Sequence, residues 1–145
     1  MLPYIWGQIG WDFFHLVIEA YPDNPTELDK QDYRTYFYAL PAVLPCQVCG
    51  RNLASHYKKY PLTDQVLANR DSLRRWGIDI HNIVNYYTGK KLLTYAQAQE
   101  KIDQLIDSRA NPRKKLCFSK WKWIILLIIV VIVCVLFGVW YARRR

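Results

Sequence analysis

An all-α fold, a small helical bundle followed by one long apolar helix, is predicted from three features of the 145-residue chain. Apolar residues recur every three or four positions through five segments, which is the spacing of one helix face. Prolines and a glycine separate those segments, and no stretch shows the alternation of a half-buried strand. Near the C-terminus, residues 123–142 form a run of 20 positions without a charged side chain.

Each element follows from local chemistry. The first helix is expected over residues 3–21, with Trp6, Gly10, Phe13, Val17 and Tyr21 on one face; Pro22 and Pro25, with Asp23 and Asn24, end it. The second runs over 27–40 with an apolar stripe of Tyr33, Tyr36, Phe37 and Leu40, and Pro41 and Pro45 bracket the turn that follows. The third covers 46–60 and stops before Pro61. The fourth covers 71–88, turns Trp76, Ile80, Ile83, Val84 and Tyr87 inward, and closes on Gly89 in a C-cap position. The fifth follows Thr94, a candidate N-cap, and carries Ala98, Ile102, Leu105 and Ile106. Sixteen aromatic residues among the first 107 are expected to supply the buried area that so small a domain needs. A bound cofactor or a twin subunit would add to that stability.

Composition narrows the class. With 52% hydrophobic and 15% aromatic residues, the chain is neither disordered, collagenous nor a disulfide-dense secreted scaffold. The net charge of +8 is unevenly spread: residues 1–107 hold eleven Lys/Arg and all 12 acids, while the remainder holds nine Lys/Arg and no acid. The domain is close to neutral, so no nucleic-acid partner is expected; that would call for a basic face on the folded part. The expected organisation is a folded domain at 1–107, a basic juxtamembrane linker at 108–122, a transmembrane helix at 123–142 and a basic tail at 143–145.

Twenty apolar residues at about 1.5 Å each span a hydrocarbon core of roughly 30 Å. Trp121 and Trp123 at one end and Trp140 and Tyr141 at the other sit where an interfacial aromatic belt belongs. Basic residues flank both ends, so charge does not orient the helix. The N-terminus lacks a basic leader, and its apolar stretch is broken by Gly7, Gln8, Gly10 and Asp12, which does not resemble a cleavable signal. The expected topology is a C-terminal single-pass anchor with residues 1–107 on the cytosolic side.

Two groups of residues carry chemistry. Pro45-Cys46-Gln47-Val48-Cys49 places two sulfurs within bonding distance at a helix N-terminus, where the positive end of the helix and its unpaired N–H groups favour the thiolate of Cys46. A thiolate is the attacking species in disulfide exchange, so the geometry suits a dithiol that cycles. The same CxxC is also half of a zinc site, with His56 or His81 as nitrogen ligands, although no second CxxC or HxxxH pair accompanies it. A thioredoxin-type reading requires βαβ units, which the pattern lacks. Of the other two cysteines, Cys134 lies inside the apolar run, and Cys117, in the basic linker, is a candidate for lipidation, cross-linking or thiol relay. The second group is His81-Asn82-Ile83-Val84-Asn85, in which His81 and Asn85 share a face with Asn82 beside them. Three polar side chains on an apolar helix are expensive to bury without partners. With Trp11 and His15 four residues apart on the first helix, they suit the wall of a polar aromatic ligand such as an isoalloxazine or adenine ring. Lys90, just beyond the helix, is placed to reach a phosphate or ribose.

Taken in order, these residues resemble the Erv/ALR family of FAD-linked sulfhydryl oxidases. The likeness rests on Trp6-Gly7, Trp11-x-x-x-His15 and Tyr21-Pro22, then Phe37, Pro45-CxxC-Gly-Arg51 and Pro61, then Ser72-Leu73, Trp76, His81-Asn82-x-x-Asn85 and Gly89-Lys90. It covers nearly all of residues 1–107. It implies a four-helix bundle plus a short fifth helix that holds FAD, usually as a homodimer, oxidises dithiols in protein substrates, and passes electrons to O2 to give hydrogen peroxide. It implies that Cys49 is the flavin-proximal cysteine and that Cys46 exchanges with substrate. It also implies that Gly7, Trp11, His15, His81, Asn82, Asn85 and Lys90 bind FAD. Short viral members with a terminal anchor are the nearest in kind, which points to a host cytoplasm or virion membrane. A membrane-tethered zinc or adaptor module is the alternative.

The chain also departs from the family pattern. The structural disulfide that commonly ties the region after the CxxC helix to the segment after the HNxxN helix has no cysteines here at residues 54–61 or 90–95, so packing or a twin subunit must replace it. A shuttle CxxC or CxC is also missing, which leaves direct exchange at Cys46 or a separate thiol relay protein. Gln8 stands where a basic residue is usual after the N-terminal glycine.

Overall fold

The computed structural model describes the backbone of residues 1–110 and 112–144 and the side chains of 1–110, 122–137 and 139–144. The helices are α1 (Pro3–Glu19), α2 (Glu27–Val43), α3 (Gln47–Lys59), α4 (Arg70–Tyr87), α5 (Tyr95–Ala110) and α6 (Pro112–Arg143), with one 3₁₀ turn at Val66–Ala68. No strand occurs among the described residues. The chain forms two compact units, Met1–Asp103 and Gln104–Arg145.

Caps set most of the boundaries in the first unit. Proline opens α1, where its missing N–H costs nothing. Thr26 and Asp29 form a reciprocal capping box at the head of α2. That helix runs three residues past the expected stop and includes Pro41. A proline in the last turn forfeits one backbone hydrogen bond but keeps a helical φ. Asn69 caps α4 by accepting the Ser72 N–H at 2.9 Å, and Gly89, at φ 67°, ends it in the left-handed region that favours glycine. Thr94 caps α5, exchanging hydrogen bonds with Gln97.

In this unit α1 packs on α4, α2 on α3 and α3 on α4, with the 3₁₀ turn against α4. An aromatic lattice fills the centre. Phe37 lies 5.2 Å from Phe14 and 5.2 Å from Trp76 by ring centroid, and Trp76 lies 5.3 Å from Tyr57. Each such side chain, fully buried, contributes about 1.5–3 kcal/mol. The polar tips mostly find partners: the Tyr21 hydroxyl donates to the Leu67 carbonyl at 2.9 Å, and Trp76 Nε1–H to the Tyr60 carbonyl at 2.8 Å. Arg74 grips Glu19 with two hydrogen bonds of 2.7 Å, joining α4 to the end of α1.

Burial corrects two expectations. On α1 the buried residues are Phe14, His15 and Ile18, while Phe13 is 58% exposed. The helix carries two apolar stripes of the same period, and periodicity alone does not say which one faces in. Only five of the sixteen aromatics are buried (Phe14, Tyr21, Phe37, Tyr57 and Trp76), and Tyr87, expected inward, is exposed.

The second unit is mostly α6, whose helical backbone begins at Pro112 and runs through the basic segment. Its span Lys122–Arg143 is long and apolar enough to cross a membrane by length and composition, and none of its described residues is buried. Cys134 is exposed on this span. The side chains of Cys117 and Trp121 lie outside the described residues.

Candidate functional site

The sulfur pair sits at the head of α3. Cys46 is the N-cap residue, in extended conformation, and is joined to Cys49 by a disulfide. The Cys49 N–H donates to Cys46 Sγ at 3.2 Å, so a free N–H of the first helical turn points at the first sulfur. This is the arrangement that stabilises a thiolate at Cys46. Gly50 lets the pair sit close to α2. A Cβ there would come within 2.2 Å of the Pro41 carbonyl oxygen, a contact that no side chain tolerates. Both cysteines are half-buried. Among the described residues no cluster of three His, Cys, Asp or Glu side chains gathers around a metal position. His56 instead stacks on Tyr87 at 5.6 Å and 17°. Burial, with help from Lys59, lowers its pKa.

A second group forms between α1 and α4. Trp11 and His81 stack face to face, with centroids 3.9 Å apart and planes within 5°. His15 Nε2 and His81 Nδ1 share a hydrogen bond of 2.9 Å. Burial pushes the His15 pKa down to about 4, against the raising pull of Glu19 and Asp12. It pushes His81 to about 3, aided by His15, Lys90 and Lys101. Both rings are therefore neutral near pH 7, and their hydrogen bond carries a single proton. Whichever ring donates, His15 Nδ1 is left buried without a partner, as is Trp6 Nε1, about two and a half turns earlier on α1. An unpaired buried polar atom costs roughly 1–3 kcal/mol, and a polar ligand atom removes that cost.

The remaining predicted residues fall around this group in different ways. Asn85 is buried, one turn beyond His81. Asn82 turns away: its amide donates to the Leu93 carbonyl at 2.8 Å and accepts the Leu93 N–H at 3.0 Å. Lys90 is exposed, and its backbone N–H binds the Asn85 carbonyl at 2.8 Å. Gly7 is half-buried, and a Cβ there would meet no protein atom within 4 Å. Two hydrogen-bonded ties join the segments after α3 and after α4 to α4 itself. Trp76 holds Tyr60, and Asn82 holds Leu93. Phe14 links the two ends of the site. Its ring packs edge-on against Trp11 at 5.2 Å and against Phe37 at 5.2 Å, and Phe37 lies on the helix whose Pro41 touches Gly50. The unpaired Trp6 nitrogen and the His56–Tyr87 stack had no signature in the residue pattern, because both depend on which helix faces which.

The chain is similar to known proteins in sequence and in fold. The sequence pattern described as the Erv1 / Alr family covers residues 8–104. The chain is 51% identical over 123 residues to the Probable FAD-linked sulfhydryl oxidase R368 of Acanthamoeba polyphaga mimivirus, covering 85% of this chain and 81% of that one. It is 31% identical over 103 residues to the Putative FAD-linked sulfhydryl oxidase 347L of Invertebrate iridescent virus 6, covering 68% and 93%. Among solved structures, the FAD binding domain of Erv1 from Saccharomyces cerevisiae superposes with a TM-score of 0.62 at 23% identity, over 66% of this chain and 89% of that one, a likeness of fold. The chain belongs to the Erv1 / Alr family.

Proposed function

We propose that this chain is an FAD-dependent thiol oxidase that forms disulfide bonds in protein substrates and uses O2 as the acceptor. The observation that carries the reading is the Cys46–Cys49 disulfide at the head of α3, with the Cys49 N–H on Cys46 Sγ. The names of the two viral relatives support it. The α1–α4 group fits a flavin: two flat rings already stacked, two buried nitrogens without partners, and Gly7 with open space beside it. Trp11, His15, His81 and Asn85 are assigned to hold the cofactor. Lys90 is assigned to its phosphate or ribose, and Asn82 acts by fixing the segment that carries Lys90.

Catalysis starts at the outer sulfur. A substrate thiolate attacks Cys46 Sγ, the Cys46–Cys49 bond breaks, and Cys49 leaves as the thiolate. A second substrate thiol loses its proton and attacks the mixed disulfide, which releases oxidised substrate and Cys46 as a thiolate held by the Cys49 N–H. Bound FAD supplies the two-electron acceptor that takes these electrons and passes them to O2, giving hydrogen peroxide. The neutral His15–His81 pair binds without adding positive charge beside the cofactor.

The outward stripe of α1 (Ile5, Ile9, Phe13 and Leu16) is apolar and 37–68% exposed, which supports a homodimer through this face. A monomer by sedimentation at micromolar concentration would count against it. The span Lys122–Arg143 supports a single-pass anchor with the domain on the cytosolic side of a host or virion membrane. Protection of the domain from protease added outside intact cells tests that side, and its digestion there would reverse the topology.

One experiment decides the main reading. The purified full chain should absorb as a flavoprotein. Cys49→Ser should keep that colour and lose dithiothreitol-dependent oxygen uptake by about 10³-fold or more. A folded, colourless protein, or an active Cys49→Ser variant, would falsify it.

A further inference from the structure

The surroundings of the disulfide carry an inference about its substrates. No residue in 1–11 or in 35–50 has a charged side chain, and the fold brings these two segments together, with the Met1 amine donating to the Pro45 carbonyl at 2.7 Å. Around Cys46 stand exposed apolar side chains: Val43 at 73%, Val48 at 57% and Leu2 at 58%, with Pro45 also exposed. The nearest charged side chains along the chain are Arg34 and Arg51, one on each side. On α4, by contrast, Arg75 and Asp71 cover the exposed surface with charge. Exposed apolar side chains also line α1 (Ile5, Ile9, Phe13 and Leu16), but those around Cys46 form a collar around the reactive bond itself.

We infer that this collar docks the substrate polypeptide, and that the substrates are proteins whose thiols are flanked by apolar residues in an extended or unfolded segment. The inference rests on the thiol-oxidase reading. Exchange decides the occupant, because a thiolate must come into line with the Cys46–Cys49 bond, and the residues next to that thiol then lie on Val43, Pro45, Val48 and Leu2. A basic flank would be desolvated there beside the Met1 ammonium and Arg51 with no carboxylate to pair with, whereas an apolar flank buries surface on both partners. Arg51, at one rim, makes basic flanks the least welcome.

The test uses the purified full chain with its flavin and two reduced peptides sharing a Cys-Gly-Ser-Cys centre, one flanked by Val-Leu pairs and one by Lys-Lys pairs. The quantity read is kcat/KM for each peptide divided by the rate on dithiothreitol. The Val-Leu peptide should be favoured by about tenfold, the effect of one to two buried apolar groups. Lysine neighbours raise the thiolate fraction, so a slower lysine peptide is not a matter of nucleophile strength. Val43→Glu and Leu2→Glu, both at exposed positions, should each shrink or invert that preference. Equal use of both peptides by the unaltered chain overturns the inference, as does a preference that neither variant moves. If the variants turn a dimer into a monomer, or abolish binding to phosphatidylcholine vesicles, while the preference stays intact, the collar belongs to a second copy or to a lipid surface. A colourless chain inert to dithiothreitol removes the thiol-oxidase reading itself, an outcome distinct from all of these.

Discussion

Between α1 and α4 the site groups are polar and withdrawn from water: His15 is 7% exposed, His81 stacks under Trp11, and two ring nitrogens lack partners. At the head of α3 the reverse holds, with a half-buried disulfide ringed by apolar side chains that face solvent. The contrast separates two tasks. Holding a flat polar cofactor calls for buried donors and acceptors whose cost is met only when the ligand is present. Exchanging electrons with a protein calls for an accessible sulfur whose neighbours can shed water cheaply. Each end is vulnerable to a different perturbation.

The sulfur end breaks at Gly50. An alanine Cβ there would sit 2.2 Å from the Pro41 carbonyl oxygen, which is backbone and cannot swing aside. Either α3 moves off α2 or the Cys46 cap is lost, at a cost of about 3 kcal/mol or more. A fall in melting temperature of more than about 10 °C is expected for Gly50→Ala. Calorimetry measures it, and the flavin absorbance of the same sample shows whether the ring end survives. Retained colour with lost thiol oxidation means the two ends are independent, and loss of both means that Phe14 and Phe37 transmit the shift.

The ring end breaks with acid. In the unfolded chain both histidines titrate near 6.5, while in the fold burial holds them near 4 and 3. Between those values the unfolded chain binds more protons, so stability rises with pH. It is fully present above about 6.5 and is lost as pH falls. For His15 alone the loss by pH 4 is about 3 kcal/mol. Urea unfolding at pH 7, 5.5 and 4.5 should show the slope, and His15→Gln should flatten it. A stability that stays level from pH 7 to 4.5 would refute the burial of a neutral pair.

The two ends also differed in how legible they were. The CxxC, its proline and its glycine are contiguous, and helix-capping chemistry acts over three or four residues, so the sulfur end could be read from local order. The caps at Thr94 and Gly89 were legible for the same reason. The ring end was legible only as a set of unusual polar residues on apolar helices. That His15 would meet His81, or that Asn82 would turn to Leu93, depends on the rotation of each helix about its axis. The phase of α1 shows the limit, since Phe13 and Phe14 are chemically alike and only packing against α4 chooses between them. Aromatic content misled in the same way, because a tyrosine such as Tyr87 can stack on His56 and still face water.

Asn82 offers the finest test of the comparison, because it belongs to the ring end by sequence and to the scaffold by contact. Its amide pairs with both backbone groups of Leu93 and so holds the segment that carries Lys90 against α4. Asn82→Ala removes both bonds from a half-exposed position where water partly compensates, at about 1–2 kcal/mol. Asn82→Asp keeps an acceptor for the Leu93 N–H but turns a carboxylate oxygen towards the Leu93 carbonyl, so it should cost at least as much despite its closer shape. Amide exchange at residues 90–95 should quicken in both variants while exchange around Cys46 stays slow. Flavin affinity should fall modestly, through Lys90, with the rate of disulfide exchange unchanged. If Asn82→Ala instead released the flavin outright with exchange at 90–95 unaltered, Asn82 would be a direct ligand that leaves Leu93 when the cofactor binds.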